Sequence, residues 1–229
     1  MPHHGEIVFF PSNGRSASGY LSKPSSGKGI GIIVLQEWWG LVDHIKDVCD
    51  RFAAEGFTAL APDLYDGVTT SSPDEASKLF MALNIGEAEK TLRGAIDFLL
   101  KNEAVSSKKV GVVGFCMGGQ LALFAATLNP NIGACINFYG VHPAVKPDFT
   151  KLNAPVLGLF AGNDTFVNQE VVSNLAAALK AAGKTFEFHT YPNTSHAFFN
   201  DTRPEVYNAD AARDAWERSL KFFRTHLSA

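Results

Sequence analysis

Cys116 is the residue whose neighbours best equip it for chemistry. It lies in Gly114-Phe115-Cys116-Met117-Gly118-Gly119, after the apolar run Val110-Gly111-Val112-Val113 and before Gln120-Leu121-Ala122-Leu123-Phe124-Ala125-Ala126. An apolar strand, a nucleophile with glycines two before and two after it, and a small-residue helix together make a sharp turn that lifts one side chain clear of the backbone. Glycine permits that turn because it has no Cβ to clash. The thiol then stands at a helix N-terminus, where free N–H groups and the dipole favour a thiolate. A cysteine without such neighbours is an ordinary core residue. Cys49, in an amphipathic segment, and Cys135, in an apolar run, read that way. The spacing of Gly111 and Gly114 does not fit a dinucleotide-binding fingerprint.

A thiol needs a base, and the base needs a group to orient it. Turns of this kind take their partners in the chain order nucleophile, acid, histidine. Asp164, in Gly162-Asn163-Asp164, follows the apolar stretch Pro155 to Ala161, and His196, in Ser195-His196-Ala197-Phe198, follows Phe186 to Tyr191. Both fall just past strand ends, where α/β proteins build their sites. Taken singly, Asp164 reads equally as a helix cap or Asx-turn, and His196 as a surface-loop histidine. Order and position together make His196 the candidate base and Asp164 its orienter. His3, His4, His44, His142, His189 and His226 occupy poorer positions, and no His, Cys, Asp or Glu spacing fits zinc. No metal and no cofactor are expected.

Glu37 directly follows an apolar strand and precedes two tryptophans. It reads either as a surface-loop glutamate or as a partly desolvated carboxyl with a raised pKa. Trp38 and Trp39 read as core packing. Their loop is also where one backbone oxyanion donor belongs, the N–H of Trp38, with the N–H of Met117 as the second.

These residues need a scaffold, and the hydropathy pattern supplies one. Short strands at Ile7 to Phe10 and Ser18 to Ser22 flank a turn at Pro11-Ser12-Asn13-Gly14. Gly31 to Leu35 reads as a strand buried on both faces. Ile45, Val48, Phe52 and Ala53 mark an amphipathic helix closed by Gly56. Strands at 57–60, 132–139, 156–161 and 186–191 alternate with helices near 73–83, 88–99, 169–182 and 212–227. The expected fold class is α/β, with a mostly parallel central sheet flanked by helices on both faces, in a single domain spanning 1–229.

The chain has 229 residues, of which 46% are hydrophobic, enough for a sizeable core. Its net charge of −3 argues against nucleic acid or an anionic membrane as partner. The apolar run near Ile30 to Leu35 is too short to span a bilayer. The first residues carry no Lys or Arg, against a signal peptide, and the three cysteines are odd in number and widely spaced. A cytoplasmic location is therefore expected, with a small-molecule partner and a monomer or small homo-oligomer.

The chain resembles the dienelactone hydrolase family over essentially its whole length. The resemblance is carried by Gln36-Glu37-Trp38-Trp39-Gly40, Ala61-Pro62-Asp63-Leu64-Tyr65, Gly114 to Gly119, Gly162-Asn163-Asp164 and Ser195-His196-Ala197-Phe198. It implies an α/β-hydrolase fold and a Cys116/His196/Asp164 triad that hydrolyses lactones or small esters through a thioester. It also implies that Glu37 touches the resting thiol and swings as substrate binds, helping to form the thiolate. Family members acting on dienelactone hold its carboxylate with arginines. Here one of those positions is Asn200, and Tyr65 to Phe80 contains no arginine. Arg203 lies nearby and reads as a solvated loop residue. The alternatives are a thioesterase or acyltransferase on the same fold, or a binding protein that has lost turnover.

Overall fold

Alternating residues of the central strands are apolar on both sides, so the sheet must be covered twice. Ile32 and Val34 pack into one core and Ile33 and Leu35 into the other. The structure is a computed structural model that describes residues 4–228; His3 lies outside the described residues. The strands are β1 (Glu6–Ser12), β2 (Arg15–Ser22), β3 (Ile30–Leu35), β4 (Phe57–Pro62), β5 (Val110–Phe115), β6 (Ile132–Phe138), β7 (Val156–Ala161) and β8 (Phe186–Tyr191). They form one eight-stranded sheet in the order β1-β2-β4-β3-β5-β6-β7-β8. β1 and β2 run antiparallel to their neighbours, and all other pairs are parallel.

The helices are α1 (Asp43–Ala54), α2 (Pro73–Ala82), α3 (Ile85–Lys101), α4 (Met117–Leu128), α5 (Gln169–Ala181) and α6 (Ala209–Leu227). α1 and α6 cover one face, where Phe52 packs on Phe57, Trp216 and Phe223. The cores of α3 and α4 cover the other through Leu92, Ile96, Leu121 and Ala125. Burying one such large apolar side chain contributes about 1.5–3 kcal/mol. No helix among the described residues is long and apolar enough to cross a membrane.

Two expectations need correction. The turn placed at Pro11 to Gly14 is shorter, because β1 continues to Ser12 and only Asn13 and Gly14 remain, with φ of 48° and 83°. Two positive φ values suit a tight hairpin, and Pro11 is tolerated because β1 is an edge strand that needs no inward N–H there. β6 stops at Phe138, one residue before the expected end, where Tyr139 turns out of the sheet at φ 39°.

The chain leaves β3 for β4 on one side and later enters β5 on the other. The carboxyl ends of β3 and β5 therefore border the crevice where strand order reverses, the usual place for a ligand in such sheets. Glu37 follows β3 and Cys116 follows β5.

Candidate active site

Cys116 sits between β5 and α4 at φ 53° and ψ −118°, a conformation that non-glycine residues rarely adopt. Close packing holds it there. A Cβ at Gly114 would collide with the Gly118 carbonyl, and one at Gly118 would collide with the Leu35 and Gln36 carbonyls. The second approach also draws the loop after β3 against the turn, so that Glu37 and Trp38 lie beside Cys116 in one cleft. Among the described residues, neither the Trp38 N–H nor the Met117 N–H has a protein acceptor.

Asp164 and His196 belong to two loops sewn together by backbone hydrogen bonds. Gly162 N–H donates to the Tyr191 carbonyl at 2.8 Å and Asn163 N–H to the Thr194 carbonyl at 2.9 Å. Phe198 and Phe199, both buried, anchor the chain just after His196 against Phe138. His196 Nδ1 lies 2.7 Å from Asp164 Oδ2, while Asp164 Oδ1 accepts from the N–H groups of Phe166 and Val167 at 2.8 and 2.9 Å. The imidazole lies between the rings of Tyr139 and Phe166, at 5.0 and 5.2 Å.

The electrostatics follow from this packing. Burial alone would lower the pKa of His196. The hydrogen bond to Asp164 and the interaction with Cys116, with their charges, outweigh burial and push it up to about 10. Burial would raise the Asp164 carboxyl, yet the hydrogen bond and charge of His196 hold it below its usual range. Tyr139 is driven well up by burial, and Glu37, Cys116 and Asp164 add to the effect. Cys49 and Cys135 are wholly buried, and burial raises both thiols.

Glu37 is buried at 1% exposure, and its Oε2 accepts from Asn200 Nδ2 at 2.7 Å. No hydrogen bond joins Glu37 to Cys116 among the described residues. Its hydrogen-bond partner is this amide, and it lines the same cleft as Cys116. Asn200 is itself fixed, because its Oδ1 accepts from the hydroxyl of Thr202 at 2.6 Å. Trp38 and Trp39 are half-buried and wall the cleft, against the reading as core, because their loop leaves the sheet at the crevice. The cleft holds about 550 Å³, within the range of small-molecule sites.

A model of the dienelactone hydrolase family matches residues 17–227. The chain belongs to the dienelactone hydrolase family. "Protein usf" of Aquifex pyrophilus is 38% identical to it over 98% of this chain and 100% of that one. An Aquifex aeolicus (strain VF5) protein named "Putative carboxymethylenebutenolidase" is 34% identical, covering 97% and 99%. A crystal structure named "Putative Dienelactone Hydrolase", from Klebsiella pneumoniae, superposes with a TM-score of 0.88 at 30% identity, covering 97% and 98%.

Around the site of this dienelactone hydrolase family member lie residues whose contacts the sequence did not anticipate. Tyr139 and Phe166 bracket the imidazole, and Asn200 serves Glu37. Tyr139 could have been found from its place at the carboxyl end of β6, next to the strand that carries Cys116. Arg203 borders the cleft with its side chain 33% exposed, so it is less solvated than its loop position suggests.

Proposed function

We propose that the chain hydrolyses small carboxylic esters or lactones through a thioester on Cys116. The observation that carries this reading is the 2.7 Å contact between His196 Nδ1 and Asp164 Oδ2, with the same imidazole lining one cleft with Cys116. Asp164 keeps the ring proton on Nδ1, so Nε2 can take the proton of the thiol. The thiolate adds to the ester carbonyl, and the oxygen takes up negative charge facing the N–H groups of Met117 and Trp38. That both donors lack a protein acceptor supports this role. Collapse breaks the carbon–oxygen bond, and His196 Nε2–H protonates the departing alkoxide. Water, deprotonated by the same nitrogen, then adds to the thioester, releasing the carboxylic acid and restoring the thiol. Glu37 is assigned the task of keeping the thiol poised, acting from its seat on Asn200.

The test is a panel of lactones and aryl esters run with the parent, Cys116→Ala and Cys116→Ser proteins. The parent should turn over at least one small ester and carry an acyl adduct on Cys116, detectable by mass spectrometry after a rapid acid quench. Turnover that persists in Cys116→Ala would overturn the assignment.

A further inference from the structure

We infer that the substrate of this site is a neutral ester or lactone with an apolar, ring-sized portion, and that the cleft discriminates against anionic substrates. The inference rests on the hydrolase reading above and adds to it the charge and shape of what enters.

The first support is the lining. Outside the reacting groups, the cleft is walled mainly by Trp38, Trp39, Phe80, Val141, Pro143 and Phe166, with the uncharged Asn163, Thr165 and Ser195 beside the triad. The two indoles meet edge to face at 5.0 Å, and Phe166 sets its edge against the His196 ring. Such faces take a planar or aliphatic group by area burial and ring contact.

The second support is the charge. Among the described residues lining the cleft, Arg203 is the sole Lys or Arg. Its Nε donates to Glu205 Oε1 at 2.8 Å, Nη2 forms an ion pair with the same oxygen at 2.8 Å, and its guanidinium lies 5.7 Å from the centre of the Trp39 ring. That pair is partly exposed and adds little to stability. It nevertheless sets an opposite charge beside the cation that an anionic substrate would need. Glu37, on the inner wall, has an amide rather than a base as its hydrogen-bond partner. Once the thiol proton has moved to His196, the reacting groups comprise two negative charges, on Cys116 and Asp164, against one positive. A carboxylate on the substrate would enter a field of its own sign and leave water for aromatic walls without a free basic partner.

The experiment compares p-nitrophenyl hexanoate with mono-p-nitrophenyl adipate, which have equal acyl lengths but end in a methyl group and a carboxylate. Rates are corrected for uncatalysed hydrolysis. We expect kcat/KM for the neutral ester to be higher by about tenfold or more. Glu205→Gln, which frees Arg203, should move the ratio severalfold towards the adipate ester. In Cys116→Ala, where chemistry is silent, tryptophan fluorescence should report tighter binding of methyl benzoate than of monomethyl terephthalate. Equal or preferred turnover of the adipate ester overturns the inference, as does equal or tighter binding of the terephthalate. A ratio that stays fixed in Glu205→Gln overturns the part given to the ion pair. Absent turnover of every ester, with the neutral ligand still bound more tightly, would remove the hydrolase reading and leave the inference standing.

Discussion

Asp164→Asn is the sharpest test of the hydrogen-bond chain, because the geometry dictates which way the new amide must face. Asp164 Oδ1 accepts from the N–H groups of Phe166 and Val167. An asparagine keeps its oxygen there, since the other orientation would point an NH₂ group at two donors. Its nitrogen then faces His196 Nδ1, which becomes the acceptor, and the ring proton moves to Nε2. That nitrogen can no longer take the proton of Cys116. The expected loss in kcat/KM is roughly 10⁴-fold, about 5 kcal/mol of transition-state stabilisation. The imidazole titration should also fall from about 10 towards the ordinary histidine range, because its first supporting hydrogen bond is gone. The assays are steady-state kinetics on the best ester of the panel and an NMR titration of the His196 ring. Two retained backbone hydrogen bonds should keep the variant folded, which urea denaturation checks. Activity within about tenfold of the parent, or an unmoved titration, would refute the reasoning.

Other expectations follow from the same packing. Iodoacetamide should alkylate Cys116 before Cys49 or Cys135, which are fully buried with thiols held protonated; peptide mapping that finds either of those first would reverse the choice of nucleophile. Asn200→Ala should cost about 1–3 kcal/mol in urea denaturation by stranding the Glu37 carboxyl, and much less when Glu37→Gln is already present. Additive losses in the two variants would deny the coupling. Gly114→Ala should destabilise the fold by about 1–3 kcal/mol or prevent soluble expression, because its methyl group meets the Gly118 carbonyl. A variant with the parent's melting temperature would contradict that contact.

Most of the scaffold was legible because burial is periodic. Ala88, Leu92, Ala95, Ile96 and Leu99, read as one helix face, are the residues α3 buries. β7 and β8 run from Val156 to Ala161 and from Phe186 to Tyr191, as their apolar stretches imply. What local signals misread was set by distant neighbours. Pro11 signals a turn in sequence but sits in a strand, because only the sheet order makes β1 an edge. Trp38 and Trp39 have the composition of core, and the crevice between β3 and β5 turns them into a wall. At the site, types and spacing led to Cys116, Asp164 and His196, and the fold brings Asp164 and His196 within hydrogen-bond reach. The partner of Glu37 was beyond reach, because Asn200 lies 163 residues away and its amide gives no sign of which acceptor it will meet.

The seam between the loops after β7 and β8 has a consequence for how such a protein can change. Gly162 and Asn163 lean on the Tyr191 and Thr194 carbonyls through their main-chain N–H groups, and the Thr194 hydroxyl donates to the same Tyr191 carbonyl at 2.8 Å, so the seam is held largely within these two loops. Trp39 and Phe80 come from other segments of the chain and take no part in it. Mutation can therefore remodel what the cleft admits while the proton relay keeps its alignment. Reactivity and selectivity sit on separately adjustable parts of one small molecule.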